Sequence, residues 1–206
     1  MKKLMIYIHG KGGNADEASH YAELFPERAV IGLEYRSNTP WDAAVEFPGL
    51  IRSIMEAGEY DSGITVIANS IGAFFFMNAM PALIESGINV GMAYFISPVV
   101  DMESLIGGLM SLAGVTEEEL AEKGTIDTVF GETLSYEYLT YVRENPLKYD
   151  VPTEILYGEH DNLTTGGTIA EFAVSHCAGL TIMENGEHWF HTPEEMEFLD
   201  RWIVSV

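Results

Sequence analysis

Six short apolar runs, separated by longer amphipathic segments, constrain the fold of this chain more than any other feature of its sequence. The runs lie at residues 4–8, 29–34, 64–68, 91–96, 154–157 and 180–183. They are mostly continuous rather than alternating, which is typical of strands buried on both faces of a parallel sheet. The sequence therefore predicts an α/β fold with a mostly parallel sheet of about six strands and helices on both faces.

The segments between these runs have helical patterns. Such patterns cover residues 16–24, 41–57, 71–85 and 168–177. A further helix is predicted to begin after Thr192, because Pro193 follows this residue and Glu195 stands three positions after it. A threonine cap, a proline at the first helical position and a glutamate at the third form a capping-box pattern. We expect this last helix to run from Pro193 to about Val204.

The length of 206 residues fits one domain with a single sizeable core. Residues 101–149 interrupt the alternation of strands and helices with a Gly-Gly pair, a run of glutamates and a group of tyrosines. We interpret this segment as an insertion between two core strands, within a single domain that spans residues 1–206.

The charge balance excludes two classes of partner. The chain has 32 acidic and 10 basic residues, for a formal net charge of −22. Nucleic acids and anionic membranes carry the same sign, so we expect no nucleic acid and no membrane as partners. The acidity identifies no substrate, although it leaves a preference for cationic substrates open.

The cysteine content and the lengths of the apolar runs indicate the compartment. The single cysteine, Cys177, allows no intramolecular disulfide. The apolar run after Lys2 and Lys3 is too short for a signal peptide, and no stretch has the length of a membrane span. We expect a cytoplasmic protein that is a monomer or a homodimer.

Ser70 stands where the third apolar run meets a helical segment, in the stretch VIANSIGAFF. Ala68 lies two positions before it and Gly72 two positions after it. A sharp strand-to-helix turn needs small residues at both places, usually glycine, and it exposes the serine hydroxyl beside the positive start of a helix. The pattern indicates a nucleophile, and the alternative is that Ser70 only caps the helix.

The first apolar run ends in a glycine-rich loop, HGKGGN. Glycines leave the backbone free to turn its N–H groups towards an anion. The loop lacks both the Lys-Ser/Thr ending of a phosphate-binding P-loop and the spacing of a dinucleotide-binding loop. An oxyanion hole fits better, with the backbone N–H groups of Lys11 and Ile71 as its donors. The alternative is a turn without function.

A carboxylate that orients a catalytic histidine is expected just after a strand. Asp161 follows the run at residues 154–157 and is our first choice. Asp101, which follows the preceding run, is its rival, and Glu159 is a weaker third candidate. The alternative for Asp161 is a role in the turn itself, since Asp-Asn pairs favour loops.

A general base is expected in the loop between the last strand and the last helix. His188 comes directly after the turn, whereas His191 abuts the helix cap, so we prefer His188. A metal site formed by these two histidines and an acid from residues 159–161 is the alternative. A lone His-x-x-His is weak support for such a site, and we expect no metal.

Taken in order, the chain presents a glycine loop, a serine turn, an acid and a histidine, each after a predicted strand. This set resembles the α/β-hydrolase fold family, and the resemblance covers essentially the whole chain. It implies a carboxylesterase-like serine hydrolase with Ser70 as nucleophile, Asp161 as acid and His188 as base. The oxyanion hole would be formed at Lys11 and Ile71.

The resemblance also implies that residues 101–149 form a cap or lid over the active site. The sheet of this family usually has about eight strands, whereas about six are predicted here. The first two strands of the family are therefore expected to be missing. A cap would shape an apolar pocket and exclude water. The pocket residues expected on this basis are Gly10, Met102, Met110, Phe130 and Trp189. The alternative role for Met102, Met110 and Phe130 is to pack the cap onto the core.

The function that follows from these predictions is hydrolysis of a small carboxylic ester, with a small-molecule acyl substrate as the partner. Thioesters and amides remain open, because fold and triad do not fix the substrate. No metal or organic cofactor is required. The alternatives are acyl transfer by the same triad, and binding of a small molecule without turnover.

Overall fold

A computed structural model of the chain describes residues 2–206, except for the side chain of Ser62. The strands are β1 (Lys2–Ile8), β2 (Ala29–Gly32), β3 (Tyr60–Asn69), β4 (Val90–Ile96), β5 (Thr125–Asp127), β6 (Thr133–Ser135), β7 (Thr153–Gly158) and β8 (Gly179–Met183). Six of them form one sheet in the order β2-β1-β3-β4-β7-β8, with every neighbouring pair parallel. Strands β5 and β6 form a separate antiparallel pair.

The helices alternate with the strands of the large sheet. A 3-10 turn at Ala15–Glu17 precedes α1 (Ala18–Leu24), followed by α2 (Pro40–Ala57), α3 (Ile71–Glu85), α4 (Met102–Ala113), α5 (Glu117–Lys123), α6 (Tyr136–Glu144), α7 (Gly166–Ser175) and α8 (Pro193–Ser205). Within residues 2–206, none of the helices is both long and apolar enough to cross a lipid bilayer.

Helices cover the two faces of the sheet. On one face, Tyr7 of β1 belongs to a buried cluster with Tyr21 of α1 and Trp202 of α8. Successive residues of a strand point to opposite faces, and on the other face Phe95 of β4 contacts Phe76 of α3, with ring centroids 6.1 Å apart. Helix α3 also packs along α2. The predicted parallel sheet of six strands with helices on both faces is confirmed.

The chain divides into two compact units. The first contains the large sheet and comprises the segments up to Val100 and from Lys148 to Val206. The second, Asp101–Leu147, contains α4, α5, the β5–β6 pair and α6. Its boundaries lie close to those of the predicted insertion, and its role as a cap stays a prediction.

The second unit has its own apolar interior and its own ion pairs. Its buried apolar side chains include Ile106, Met110, Leu120, Leu134 and Leu139. Arg143 of α6 pairs with Glu103 of α4 at 2.7 Å and with Glu117 of α5 at 2.6 Å. Arg143 therefore connects α6 to both α4 and α5.

Cys177 lies in a turn after α7, which ends at Ser175, so the helical pattern predicted over residues 168–177 is too long at its end. Its side chain is exposed and its backbone φ is 51°. Its N–H donates to the Val174 carbonyl at 3.3 Å, and the Ala178 N–H donates to the Ala173 carbonyl at 2.9 Å. This pair of bonds is a Schellman motif, which ends the helix at a left-handed residue that is usually glycine.

The end of β1 packs closely against the first turn of α3. A Cβ atom added to Gly72 would lie 2.9 Å from the Ile8 carbonyl oxygen and closer still to that of His9. No side chain fits at this position unless the backbone moves. Glycine two residues after Ser70 therefore lets the loop that follows β1 approach the start of α3.

We expect Gly72→Ala to lower the free energy of unfolding by about 1–3 kcal/mol, because the backbone must shift to admit the methyl group. Gly49→Ala in α2 is the matched control, since a Cβ there meets no atom within 4 Å. Alanine is the better helix former, so this control should gain about 0.5–1 kcal/mol. Urea unfolding followed by circular dichroism measures both, and changes of the same sign would contradict the packing argument.

Candidate active site

Ser70 lies in a sharp turn between β3 and α3. Its φ of 49° and ψ of −121° are rarely adopted by residues other than glycine. Its N–H donates to the Ile96 carbonyl at 3.0 Å, and its carbonyl oxygen accepts from the N–H groups of Ala73 at 3.2 Å and Val99 at 3.1 Å. The side chain makes no capping hydrogen bond to α3, which argues against a role as a helix cap alone.

The hydroxyl of Ser70 faces the ring of His188, and that ring faces Asp161. Ser70 Oγ lies 2.8 Å from His188 Nε2, and His188 Nδ1 lies 2.7 Å from Asp161 Oδ2. Because an ionised carboxylate only accepts hydrogen bonds, Nδ1 is assigned the proton and Nε2 is left as an acceptor for the serine hydroxyl. This tautomer is the one that a general base for Ser70 requires.

The Asp161 carboxylate is held by its own loop. Its side chain is fully buried. Its second oxygen, Oδ1, accepts from the backbone N–H groups of Leu163 at 2.8 Å and Thr164 at 3.0 Å. Both oxygens are therefore engaged, which fixes the carboxylate orientation towards the imidazole of His188.

The other two candidate acids have different partners. Asp101 caps α4, accepting from the Ser104 N–H at 2.9 Å and the Ser104 hydroxyl at 2.6 Å. Glu159 accepts from the Asn185 N–H at 2.9 Å. Of the three acids that the sequence left open, Asp161 is the one that bonds to His188.

The glycine loop lies against Ser70, since a Cβ atom added to Gly10 would be 3.1 Å from the serine Cβ. The Gly10 carbonyl accepts from the Gly13 N–H at 3.2 Å and from His9 Nδ1 at 2.8 Å. In a trans peptide the carbonyl and the following N–H point in opposite directions. These two bonds therefore fix the direction of the Lys11 N–H, away from the His9 ring.

The two predicted oxyanion donors belong to segments that border the serine. Ile71 directly follows Ser70 and is the first residue of α3, where a backbone N–H finds no partner within the helix. Lys11 follows the glycine that abuts Ser70 and lines the same cavity as the serine. Their action as oxyanion donors stays a prediction.

A cavity of about 630 Å³ borders Ser70 and His188, a size suited to a small molecule. Gly10 and Trp189, two of the five predicted pocket residues, line it. The indole of Trp189 is 71% exposed and stacks on the His191 ring at 4.6 Å, so it can contact a ligand.

The other three predicted pocket residues belong to the second unit. Met102 and Met110 are buried side chains of α4. Phe130 lies between β5 and β6 and is 38% exposed. Their contribution to a substrate pocket stays a prediction.

A polar network that sequence reasoning missed also lines the cavity. The Tyr7 hydroxyl donates to Glu17 Oε2 at 2.5 Å and accepts from Asn69 Nδ2 at 3.2 Å. Burial raises the pKa of Tyr7 well above its ordinary value, and the charges of Tyr21 and Glu17 add to the effect. The Asn14-x-x-Glu17 spacing of a capping box was a signal for part of this network.

The loop that carries His188 is held by Glu195, which is buried. Its Oε1 accepts from the Glu187 N–H at 2.9 Å. Its Oε2 accepts from the N–H groups of His191 at 3.2 Å and Thr192 at 3.0 Å, and from the Thr192 hydroxyl at 2.8 Å. The predicted capping box of α8 is confirmed, and its glutamate also fixes the residue next to His188.

Glu187, His191 and Glu195 have potential metal-ligand atoms within 4.8 Å of one another. The oxygens of Glu195 already accept hydrogen bonds from the backbone and from Thr192, so we interpret the group as a loop anchor. The alternative metal site proposed from the sequence included His188. Both ring nitrogens of that residue face Ser70 and Asp161 instead.

The anchoring role of Glu195 predicts a specific pH dependence of stability. Burial alone would raise its pKa, but hydrogen bonds from Glu187, Thr192 and His191 lower it from 4.5 to about 2. A lowered pKa stabilises the fold above about pH 4.5, and the contribution is lost as the pH falls towards 2. Glu195→Gln should cost about 3 kcal/mol of unfolding free energy at pH 7.

The difference between wild type and Glu195→Gln should shrink steadily as the pH falls below about 4.5. Urea unfolding across this pH range measures it. Glu194→Gln, at an exposed neighbouring position, is the control and should change stability by less than about 0.5 kcal/mol. A difference that is independent of pH would refute the role assigned to the Glu195 charge.

No family model matches the chain, and no curated protein matches it in sequence. Solved structures do match its fold. Est1E from Butyrivibrio proteoclasticus is 19% identical with a TM-score of 0.71, over 98% of this chain and 86% of Est1E. Alpha/beta hydrolase domain-containing protein 10 from mouse is 16% identical with a TM-score of 0.68, over 97% and 87% of the two chains.

A third similar structure is the RedJ-thioesterase from the prodiginine biosynthetic pathway in Streptomyces coelicolor. It is 12% identical with a TM-score of 0.64, over 98% of this chain and 89% of the thioesterase. At such identities the similarity establishes the fold alone. The chain has the α/β-hydrolase fold.

Proposed function

We propose that the chain is a serine hydrolase that cleaves a small carboxylic ester through an acyl-enzyme on Ser70. The observation that carries the proposal is the continuous path of hydrogen bonds from Ser70 through His188 to buried Asp161, at 2.8 and 2.7 Å. A serine at positive φ between a strand and a helix, with a base in reach, is typical of an activated nucleophile.

In the proposed acylation step, Ser70 Oγ attacks the carbonyl carbon while His188 Nε2 takes the hydroxyl proton. The electron pair of the carbonyl π bond moves to its oxygen, which the Lys11 and Ile71 N–H groups stabilise. Asp161 stabilises the imidazolium that forms. When the ester C–O bond breaks, His188 returns the proton to the leaving oxygen, and the alcohol departs.

Deacylation uses the same groups, with water in place of Ser70 as the nucleophile. A water molecule attacks the acyl carbon and gives a proton to His188 Nε2, and the oxyanion forms at the same two N–H groups. The bond from the acyl carbon to Ser70 Oγ then breaks, and His188 protonates the serine. The products are a carboxylic acid and the free enzyme, and the cycle requires no metal or organic cofactor.

The similar structures support this class of reaction without fixing the substrate. One is described as a thioesterase and another as a hydrolase domain. Est1E has also been solved with ferulic acid bound. Esters, thioesters and amides differ in their leaving groups, and acyl transfer to an alcohol would need only that this alcohol replaces water. A substrate panel therefore has to distinguish them.

The proposal is tested by labelling the protein with a fluorophosphonate probe at neutral pH and locating the adduct by mass spectrometry. We expect a single adduct on Ser70. Nitrophenyl esters, thioesters and anilides of one short acyl chain are then compared, and we expect the ester to react fastest. A folded protein that stays unlabelled and turns over none of these compounds would refute the hydrolase and favour a binding protein.

A further inference from the structure

Glu17 contributes a half-buried carboxylate to the wall of the cavity that borders Ser70. Its Oε2 accepts from the Tyr7 hydroxyl at 2.5 Å, and its Oε1 accepts from the Asn14 N–H at 3.3 Å. Both donors are neutral. Among the described residues, no lysine, arginine or histidine forms an ion pair with Glu17. Within residues 2–206, its negative charge is therefore not paired with a cation.

The carboxylate retains capacity for a ligand. Each carboxylate oxygen can accept about two hydrogen bonds, and each oxygen of Glu17 accepts one from the protein. The Tyr7 hydroxyl has a single hydrogen, which it donates to Glu17, so its oxygen must accept from Asn69. The carboxylate of Glu17 is thus two hydrogen bonds away from Asn69, the residue before Ser70.

Aromatic rings line the same cavity as the carboxylate. Tyr7 and Tyr21 have ring centroids 5.1 Å apart, and Trp189 and Phe190 also line the cavity. Burial raises the pKa of Tyr21, and the charges of Glu17 and Asp200 raise it further. A carboxylate among aromatic faces is a combination that favours organic ammonium groups.

The remaining charges near the cavity do not cancel this preference. Lys11 also lines the cavity, but this residue is exposed, so water screens its charge more than that of half-buried Glu17. The His20 ring is engaged with Asp200 at 2.7 Å. The net charge of −22 adds a long-range field that attracts cations and repels anions.

We propose that this cavity selects substrates that carry an ammonium group, and that Glu17 binds that group. The inference deepens the proposed hydrolase function, on which it rests. Its substrate class is a small ester in which either the acyl or the alcohol part is cationic. Glu17 acts as a specificity residue, because it contacts the charged group rather than the reacting carbonyl.

The test compares kcat/KM for two matched pairs of esters. In the first pair the charge is on the acyl side: the nitrophenyl ester of trimethylammonio-hexanoic acid and its tert-butyl isostere. In the second it is on the alcohol side: acetylcholine and the isostere in which carbon replaces nitrogen. We expect wild type to prefer the cation in at least one pair by about tenfold. Added salt should reduce the preference.

Glu17→Gln keeps the shape of the side chain and one acceptor oxygen but removes the charge. The preference for the cation should fall close to unity in this variant. Glu23→Gln is the matched control, because Glu23 is an exposed residue of α1 and its loss changes the net charge equally. The ratio within a pair is insensitive to a general loss of activity, so a merely structural role of Glu17 would leave it unchanged.

Calorimetric binding of free trimethylammonio-hexanoate and its tert-butyl isostere tests the inference without turnover. Tighter binding of the cation by wild type, lost in Glu17→Gln, supports the ammonium site even if no ester is hydrolysed and the proposed function fails. Ester hydrolysis with equal kcat/KM in both pairs overturns the ammonium site while the hydrolase stands. A preference that survives in Glu17→Gln also overturns it.

Discussion

Ser70→Ala is expected to lower kcat/KM for ester hydrolysis by about 10⁴-fold or more and to abolish labelling by a fluorophosphonate. Alanine removes the oxygen on which the acyl-enzyme is proposed to form but leaves the turn, the predicted oxyanion donors and the cavity in place. The remaining rate should be that of water attack helped by those donors alone. Initial rates with the best nitrophenyl ester, together with gel fluorescence of the probe, measure both effects.

Ser53→Ala is the control for this substitution. Ser53 is exposed on α2 and donates to the Gly49 carbonyl at 2.9 Å. Its loss should change kcat/KM by less than about twofold. If Ser70→Ala folds as wild type does and keeps its activity, a different residue is the nucleophile.

Asp161→Asn should lower kcat by about 10³- to 10⁴-fold while leaving the fold intact. An asparagine oxygen can still accept from the N–H groups of Leu163 and Thr164, which turns its NH₂ group towards His188. That NH₂ donates to Nδ1, so the proton of the imidazole moves to Nε2. Nε2 can then no longer take the proton of Ser70.

The matched control is Asp101→Asn. Asparagine is as good a helix cap as aspartate, so α4 should keep its start and kcat should change by less than about twofold. Steady-state kinetics of both variants measure the change in kcat, and urea unfolding measures the change in the free energy of unfolding. Together they distinguish a loss of catalysis from a loss of stability. A large loss in Asp101→Asn with a small one in Asp161→Asn would reverse the assignment of the acid.

The parallel sheet was predictable because its strands are buried on both faces and therefore appear as continuous apolar runs. The start of β3 was not, since Tyr60 to Gly63 lie before the apolar run. The β5–β6 pair was missed for a related reason. Its strands have three residues each, too few for an alternation to be recognised.

The predicted site residues share a signal that is local in sequence. The turn at Ser70 requires small neighbours, and His188 follows a turn before a well-marked helix cap. The contacts that sequence reasoning missed are not local. Tyr7 and Asn69 are separated by 62 positions and meet only through the register of β1 against β3. No pattern within either strand specifies that register.

The backbone conformation of Ser70 lowers the stability of the fold at the residue whose hydroxyl is the proposed nucleophile. At φ 49° glycine would meet no steric penalty, whereas serine costs about 1 kcal/mol or more. Directed evolution under selection for thermal stability alone would therefore favour glycine at this position. The resulting protein would be more stable but would lack the hydroxyl. Selection for catalytic turnover in every round would be needed to retain the serine.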